Sequence, residues 1–354
     1  MKTTSKYVGL DVHQASIAAT VRDDTGRVIA RSVLETHGPT ITEYFGGMRG
    51  AIHVAFEEGT QSQWLHDLLD PLVQEVVVCD MRQMKRDGNH GDRVDGDRMS
   101  ELSRLGGLHP VYKGSSHRLN LVEYARTYQN LVEDGVRVMQ RIKALFRAHA
   151  IPTKGQGVYG SETRAEWIEK LPDKGVQFRL RMLYAELDVV SELRPKAKAA
   201  MVDEAERDPA WKVLKSIKFL GEVRVSLILA IMKTPWRFRT KRNLWGYAGL
   251  AVVTVSSADH KVVGGKLVRK KRKPMTRGLN RNHNHVLKDV FKGAATAAAS
   301  RPGPMKDFHD AMVARGMREE MATLTLARKI AALTLRLWKK GELYDPEKLT
   351  LQST

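Results

Sequence analysis

The order in which strand-like and helix-like stretches alternate over residues 5–112 leaves few folds open to this chain. YVGLDVHQA and SIAATVRD are runs of apolar and β-branched residues, DDTG at 23–26 reads as a turn, and RVIARSVLE is a third such run. A short helix is predicted around ITEYFGGM. A fourth strand, AIHVAFEE, a helix, QSQWLHDLLD, and a fifth strand, EVVVCDM, follow. Three strands in hairpin succession, then helix, strand, helix, strand, make a mixed sheet.

One residue is out of place in that pattern. Asp11 sits among Tyr7, Val8, Leu10 and Val12, which are strand formers that bury well. A carboxylate there loses hydration and needs a donor network or a cation; the alternative is a turn cap beside His13. Other acids fall at matching places. Glu57 and Glu58 end the fourth strand, and Asp92 and Asp95 open a helix in GDRVDGDRMSELSRL, three apart and so on one face. The element order matches the ribonuclease H-like fold, in which the first and fourth strands are neighbours and a late helix crosses their ends. Four carboxylates would then converge and repel unless divalent cations are bound. Read singly, the helix acids Asp92, Asp95 and Asp97 are also accounted for as N-terminal residues favoured by the helix dipole.

The charge balance points to a partner. Lys plus Arg number 59 against 40 Asp plus Glu, a net charge of +19, with a pI near 9.9. Such an excess fits nucleic acid or an anionic surface. Cys79 is the one cysteine, which excludes a disulfide framework or a cysteine zinc site and fits a reducing compartment. No signal-peptide pattern opens the chain, and no apolar run approaches the ~18 residues of a membrane span. The expectation is a soluble cytoplasmic protein.

Beyond residue 112 the periodicity becomes helical. Leu121, Tyr124, Tyr128, Leu131, Val138, Ile142 and Leu145 recur at helical spacing over 116–150, PTKGQGVYG interrupts, and helical pattern resumes over 162–170 and 176–205. This reads as a long helical hairpin or coiled coil, a spacer or dimerisation arm. From about Asp208, WKVLKSIKFLGEVRVSLILAIM suggests two short helices joined at Leu220-Gly221. WRFRTKRNLWGYAGL then leads into the strand-like AVVTVSS, and helices around 283–299 and 305–340 finish the chain.

Ser256 and Ser257 follow that strand-like run, just ahead of the most basic stretch of the sequence. Arg269, Lys270, Lys271, Arg272 and Lys273, with Arg277, Arg281 and Lys288, would grip phosphates, and Trp236, Trp245 and Tyr247 could add base stacking. A serine beside such a stretch could act as a nucleophile toward phosphorus; the basic run also stands without it as a plain phosphate grip.

These motifs together resemble the Piv/MooV-type "DEDD" insertion-sequence transposases, the one-hundred-ten family, over nearly the whole chain. YVGLDV matches the family's YVGIDV opening and carries its first acid onto Asp11. FEEGT carries the glutamate onto Glu57, with Glu58 as the neighbouring choice, and DRVDGDRMSEL carries the last two acids onto Asp92 and Asp95. SIKFLGEVRVSLILA, RFRTKRNLWGYAGL and VSS match the C-terminal half and carry its serine onto Ser257, with Ser256 adjacent. The resemblance implies a RuvC-like α/β domain at 1–112, a helical coiled-coil linker at 113–207, a mostly helical C-terminal transposase domain at 208–345, and a tail at 346–354. It implies Mg²⁺ held by Asp11, Glu57, Asp92 and Asp95, and a serine–DNA covalent intermediate. It also implies DNA partners at the element ends and target, a structured non-coding guide RNA, a dimer to tetramer, and a place at the nucleoid. Two rivals stand beside it: a RuvC-like metal-dependent junction resolvase or nuclease without serine chemistry, and a non-catalytic nucleic-acid scaffold.

Overall fold

The computed structural model describes residues 4–80, 92–114, 118–255, 260–263, 266–269 and 275–346. They fall into two compact units, 1–115 and 116–354.

In the first unit β1 (Ser5–Val12), β2 (Ser16–Asp23) and β3 (Val28–Glu35) form consecutive antiparallel pairs. The β2–β3 turn is held by Asp23, whose Oδ1 accepts from the Thr25 and Arg27 amides, while Gly26 takes φ +90°. After α1 (Gly38–Gly46), β4 (Ala51–Glu57) inserts parallel to β1, and after α2 (Ser62–Leu69), β5 (Glu75–Cys79) pairs parallel to β4. The sheet order is β3-β2-β1-β4-β5, the mixed ribonuclease H-like arrangement that the element order predicts.

Strand alternation then sorts residues onto two faces. Val8, Leu10, Ile17, Ala19, Val21, Val54 and Phe56 pack with Ile41 and Phe45 of α1 and Leu65 and Leu69 of α2. The opposite face is covered by α3 (Asp92–Arg104), with Ala55, Cys79 and Met99 buried together. Cys79 is fully buried, as its apolar surroundings in the sequence suggest, and burial pushes its thiol up to about 12.

The second unit is mostly helical. Helices α4 (Leu119–Ala148) and α6 (Lys174–Glu206) run antiparallel, with α5 (Arg164–Glu169) at the tip. At one end Ile142, Phe146, Leu180 and Tyr184 join Val158 and Ile168 in a small core of their own. At the other, Leu121, Ala125, Met201, Val202 and Ala205 merge into the main core. That core is built around the nearly all-apolar α8 (Glu222–Met232), with α7 (Trp211–Lys215), α9 (Lys241–Tyr247), α10 (His285–Ala299), α11 (Pro304–Ala314) and α12 (Glu319–Lys340). The expected single helix over 305–340 is two helices. The chain breaks at Gly316, whose φ of +88° is left-handed and suits a helix end. Between α9 and α10 lie β6 (Val252–Val255), a hairpin of β7 (His260–Val263) and β8 (Lys266–Arg269), and β9 (Met275–Leu279), which pairs with β6.

Candidate active site

The acids of the first unit are placed by strand parity. Asp11 is on the α3-covered face, opposite in direction to Leu10, and Glu57 has the same relation to Phe56 in β4. Leu10 pairs with Phe56 across the parallel ladder, so Asp11 and Glu57 occupy the next step of adjacent strands. Neighbouring strands lie about 4.8 Å apart. The two carboxylates therefore start from one edge of one face, Asp11 with a side chain 20% exposed and Glu57 exposed.

Helix α3 runs across that face in a direction readable from its contacts. Ser100 Oγ accepts from Arg22, which pairs with Tyr7, and the carbonyl of Asp97 also accepts from Arg22. One turn earlier, Gly96 sits over Gly9 and Thr20. Moving back along the helix thus moves forward along β1. The backbone at Asp92 lies one further turn on, about 6 Å, which matches the rise of about 6.6 Å from Gly9 to Asp11. Asp95, half-buried, adjoins Gly96. The helix backbone carries Asp92 and Asp95 toward the strand ends that hold Asp11 and Glu57; the Asp92 side chain lies outside the described residues. Among the described residues no three carboxylate, histidine or cysteine groups come close enough together to enclose a metal ion. The donors at this edge are carboxylate oxygens, which suit a hard cation such as Mg²⁺. Asp11 and Glu57 supply two of them side by side.

Neighbouring groups are already engaged. His13 Nε2 lies 3.3 Å from Asp11 Oδ2. Glu58 is bound by Lys113 at 2.6 Å, and that buried ammonium also donates to Ser62 Oγ at 2.7 Å. Asp97 faces the other way. Burial would raise its carboxyl, but hydrogen bonds from Arg31 and Thr20 and the charges of Arg31 and Arg22 hold it below the ordinary carboxylate value. Nothing in the local sequence around KGSS singles out Lys113; its role depends on a contact 55 residues away in the chain.

In the second unit Ser256, Ser257 and Lys270–Lys273 lie outside the described residues, as do the side chains of Arg269 and Arg277. Arg281 is exposed just beyond β9. Val255 pairs with Met275. The chain thus leaves β6 toward the two serines at the ladder end where it enters β9 from the basic run. Upstream, Thr240 caps α9 through a reciprocal box with Asn243, which holds Trp245 and Tyr247 on a defined turn.

Two family models match the chain: a DEDD transposase model of the IS110 group over residues 8–151, and the transposase IS116/IS110/IS902 family model over residues 211–310. Asp11, Glu57, Asp92 and Asp95 fall inside the first span, and Ser257 and the 269–273 run inside the second. A search of curated proteins returns no match. No helix among the described residues is long and apolar enough to cross a membrane.

Proposed function

We propose, for a chain that belongs to the IS110/IS116/IS902 family of transposases, that it recombines DNA at the ends of its own mobile element through serine chemistry supported by a carboxylate cluster. Transposases cut and join DNA, and the first-unit geometry supports a metal-assisted form of that reaction. The observation that carries the reading is the shared edge of Asp11 and Glu57 on adjacent parallel strands, with α3 directed toward it. Asp11, Glu57, Asp92 and Asp95 would hold Mg²⁺, Glu57 taking the glutamate place to which FEEGT carries it. Bound there, Mg²⁺ supplies positive charge to a scissile phosphate.

Ser257 is the nucleophile in this reading. Its Oγ forms a bond to phosphorus as one bridging DNA oxygen leaves and takes up a proton, so the phosphodiester linkage is conserved for rejoining. Arg269, Lys270, Lys271, Arg272, Lys273, Arg277 and Arg281 neutralise the flanking backbone. The division of the chain into a RuvC-like domain at 1–112, a helical linker at 113–207 and a catalytic domain at 208–345, a structured guide RNA, assembly as a dimer to tetramer, and residence at the nucleoid belong to the same proposal. The net charge of +19 supports the nucleic-acid partners.

The test is covalent capture. With a nicked substrate, wild type should give a DNA-shifted band that survives denaturation and maps to Ser257. Ser257→Ala should lose it while binding DNA as before, and Ser256→Ala should keep it. A Ser257→Ala protein that still cleaves would replace the serine step with the metal-dependent nuclease reading.

A further inference from the structure

We propose that the cleft between α9, α11 and α12 is a second phosphodiester-binding site, built for backbone phosphates of nucleic acid from residues other than the carboxylates of the first unit and the 269–273 run. The choice of ligand rests on the reading of the chain as a DNA-acting transposase; the cationic cleft itself does not. The cleft has a volume of about 760 Å³ and among the described residues is lined by six cations, Arg239, Lys241, Arg328, Lys329, Arg336 and Lys339, and by no carboxylate. Six like charges around one cleft repel, and the repulsion is relieved by an anion.

The side chains are set for a ligand rather than for one another. Arg328 Nε donates to the Leu250 carbonyl at 2.6 Å, which fixes the guanidinium, while its Nη2 is buried with no partner among the described residues. Arg336 Nε is likewise buried without a partner among the described residues. Both guanidinium groups belong to residues that line the cleft, and guanidinium is the usual bidentate binder of phosphate. Arg328, Ala332 and Arg336 recur at helical spacing on α12, and the small Ala332 between the two arginines leaves room above the helix.

The lysines are held by aromatic walls. Lys329 Nζ stands 3.8 Å from the centre of the Phe308 ring and Lys241 Nζ 5.6 Å from that of Trp245. Lys339 donates to the Phe238 carbonyl at 2.6 Å and lies over Trp236, which is 71% exposed. An exposed indole at the rim of a phosphate groove offers a base a surface to stack on. The cations come from residues 239–241 and 328–339, so the cleft exists only in the folded unit.

The experiment measures binding alone, without divalent metal or cleavage, so that it stands apart from the serine chemistry. RNA-free full-length protein is titrated with DNA and RNA duplexes of equal length and sequence over a range of salt. Lys329→Gln/Arg336→Gln removes two contacts within α12. Arg239→Gln/Lys241→Gln removes two exposed ones and guards against misfolding of the first variant; thermal melting checks both. Each double variant should flatten the salt slope by about 1.8 and weaken binding at 0.15 M salt about 30-fold, from about 0.9 per phosphate contact. Arg194→Gln, an exposed cation elsewhere, is the control and changes the slope by no more than one contact. Loss with DNA, with RNA, or with both supports the site and names its strand. Unchanged slopes for both double variants, or no binding by wild type in either arm, overturn it.

Discussion

A methyl group added at Gly9 should lift α3 away from the carboxylate edge. A Cβ built there lies 2.2 Å from the Gly96 carbonyl oxygen, 2.5 Å from the Ser100 amide nitrogen and 2.9 Å from Met99 Cβ. Two of these are helix backbone atoms, which cannot rotate aside. Restoring a carbon–oxygen contact of about 3.3 Å requires the helix to retreat by about 1 Å. Overpacking of this kind costs about 1–3 kcal/mol. Hydrogen exchange read by mass spectrometry on β1 and α3 peptides should therefore quicken about 5- to 150-fold in Gly9→Ala, through local opening. DNA-joining activity should fall about 100-fold, the cost of a misplacement of about 1 Å in a catalytic group, although every acid is still present. Gly46→Ala is the control: a Cβ there meets nothing within 4 Å, at the end of α1, and helix propensity makes it neutral or stabilising by up to about 1 kcal/mol. If Gly9→Ala exchanges at the wild-type rate, α3 does not bear on the sheet through this contact and the geometric argument for the site fails.

Other outcomes follow from single contacts. Arg118→Ala leaves the Asp208 carboxylate, whose side chain is 6% exposed, without its cation, and should cost about 3–5 kcal/mol in urea unfolding; Asp208→Asn should cost less. The Asp97 carboxyl is held below its ordinary value of 3.8, so its stabilisation is complete above that value and is lost as the pH falls through the lowered one. Asp97→Asn should accordingly lower the melting temperature at neutral pH and flatten its decline in acid; an unchanged acid limb would dismiss the Arg31 contact. Divalent Mg²⁺ or Mn²⁺ should raise the melting temperature of RNA-free protein, and Asp11→Asn should lose much of that gain; indifference of both proteins would remove the metal site. Alanine at Arg269, Lys270, Lys271 and Arg272 should flatten the salt dependence of DNA binding by about 3 to 4 units, and an unchanged slope would turn that run away from nucleic acid.

Local periodicity was enough for the sheet of the first unit. Alternation in YVGLDV and HVAFEE already puts Asp11 and Glu57 opposite the buried Leu10 and Phe56, because a strand has a period of two and one core face. Helical spacing was enough for α4 and α6 for the same reason. It overran at Gly316 because apolar residues continue at helical spacing across the break, from Val313 to Met317 and Met321, while backbone handedness leaves no mark in such a pattern. What joins distant segments was not legible. The claim of Lys113 on Glu58, the bearing of Gly96 on Gly9 and the gathering of Arg239 with Arg336 each depend on where two chain segments pack. A lone lysine, glycine or arginine has the same local signature whether it is solvated or engaged. Only burial, which removes the water that would otherwise satisfy it, decides between the two.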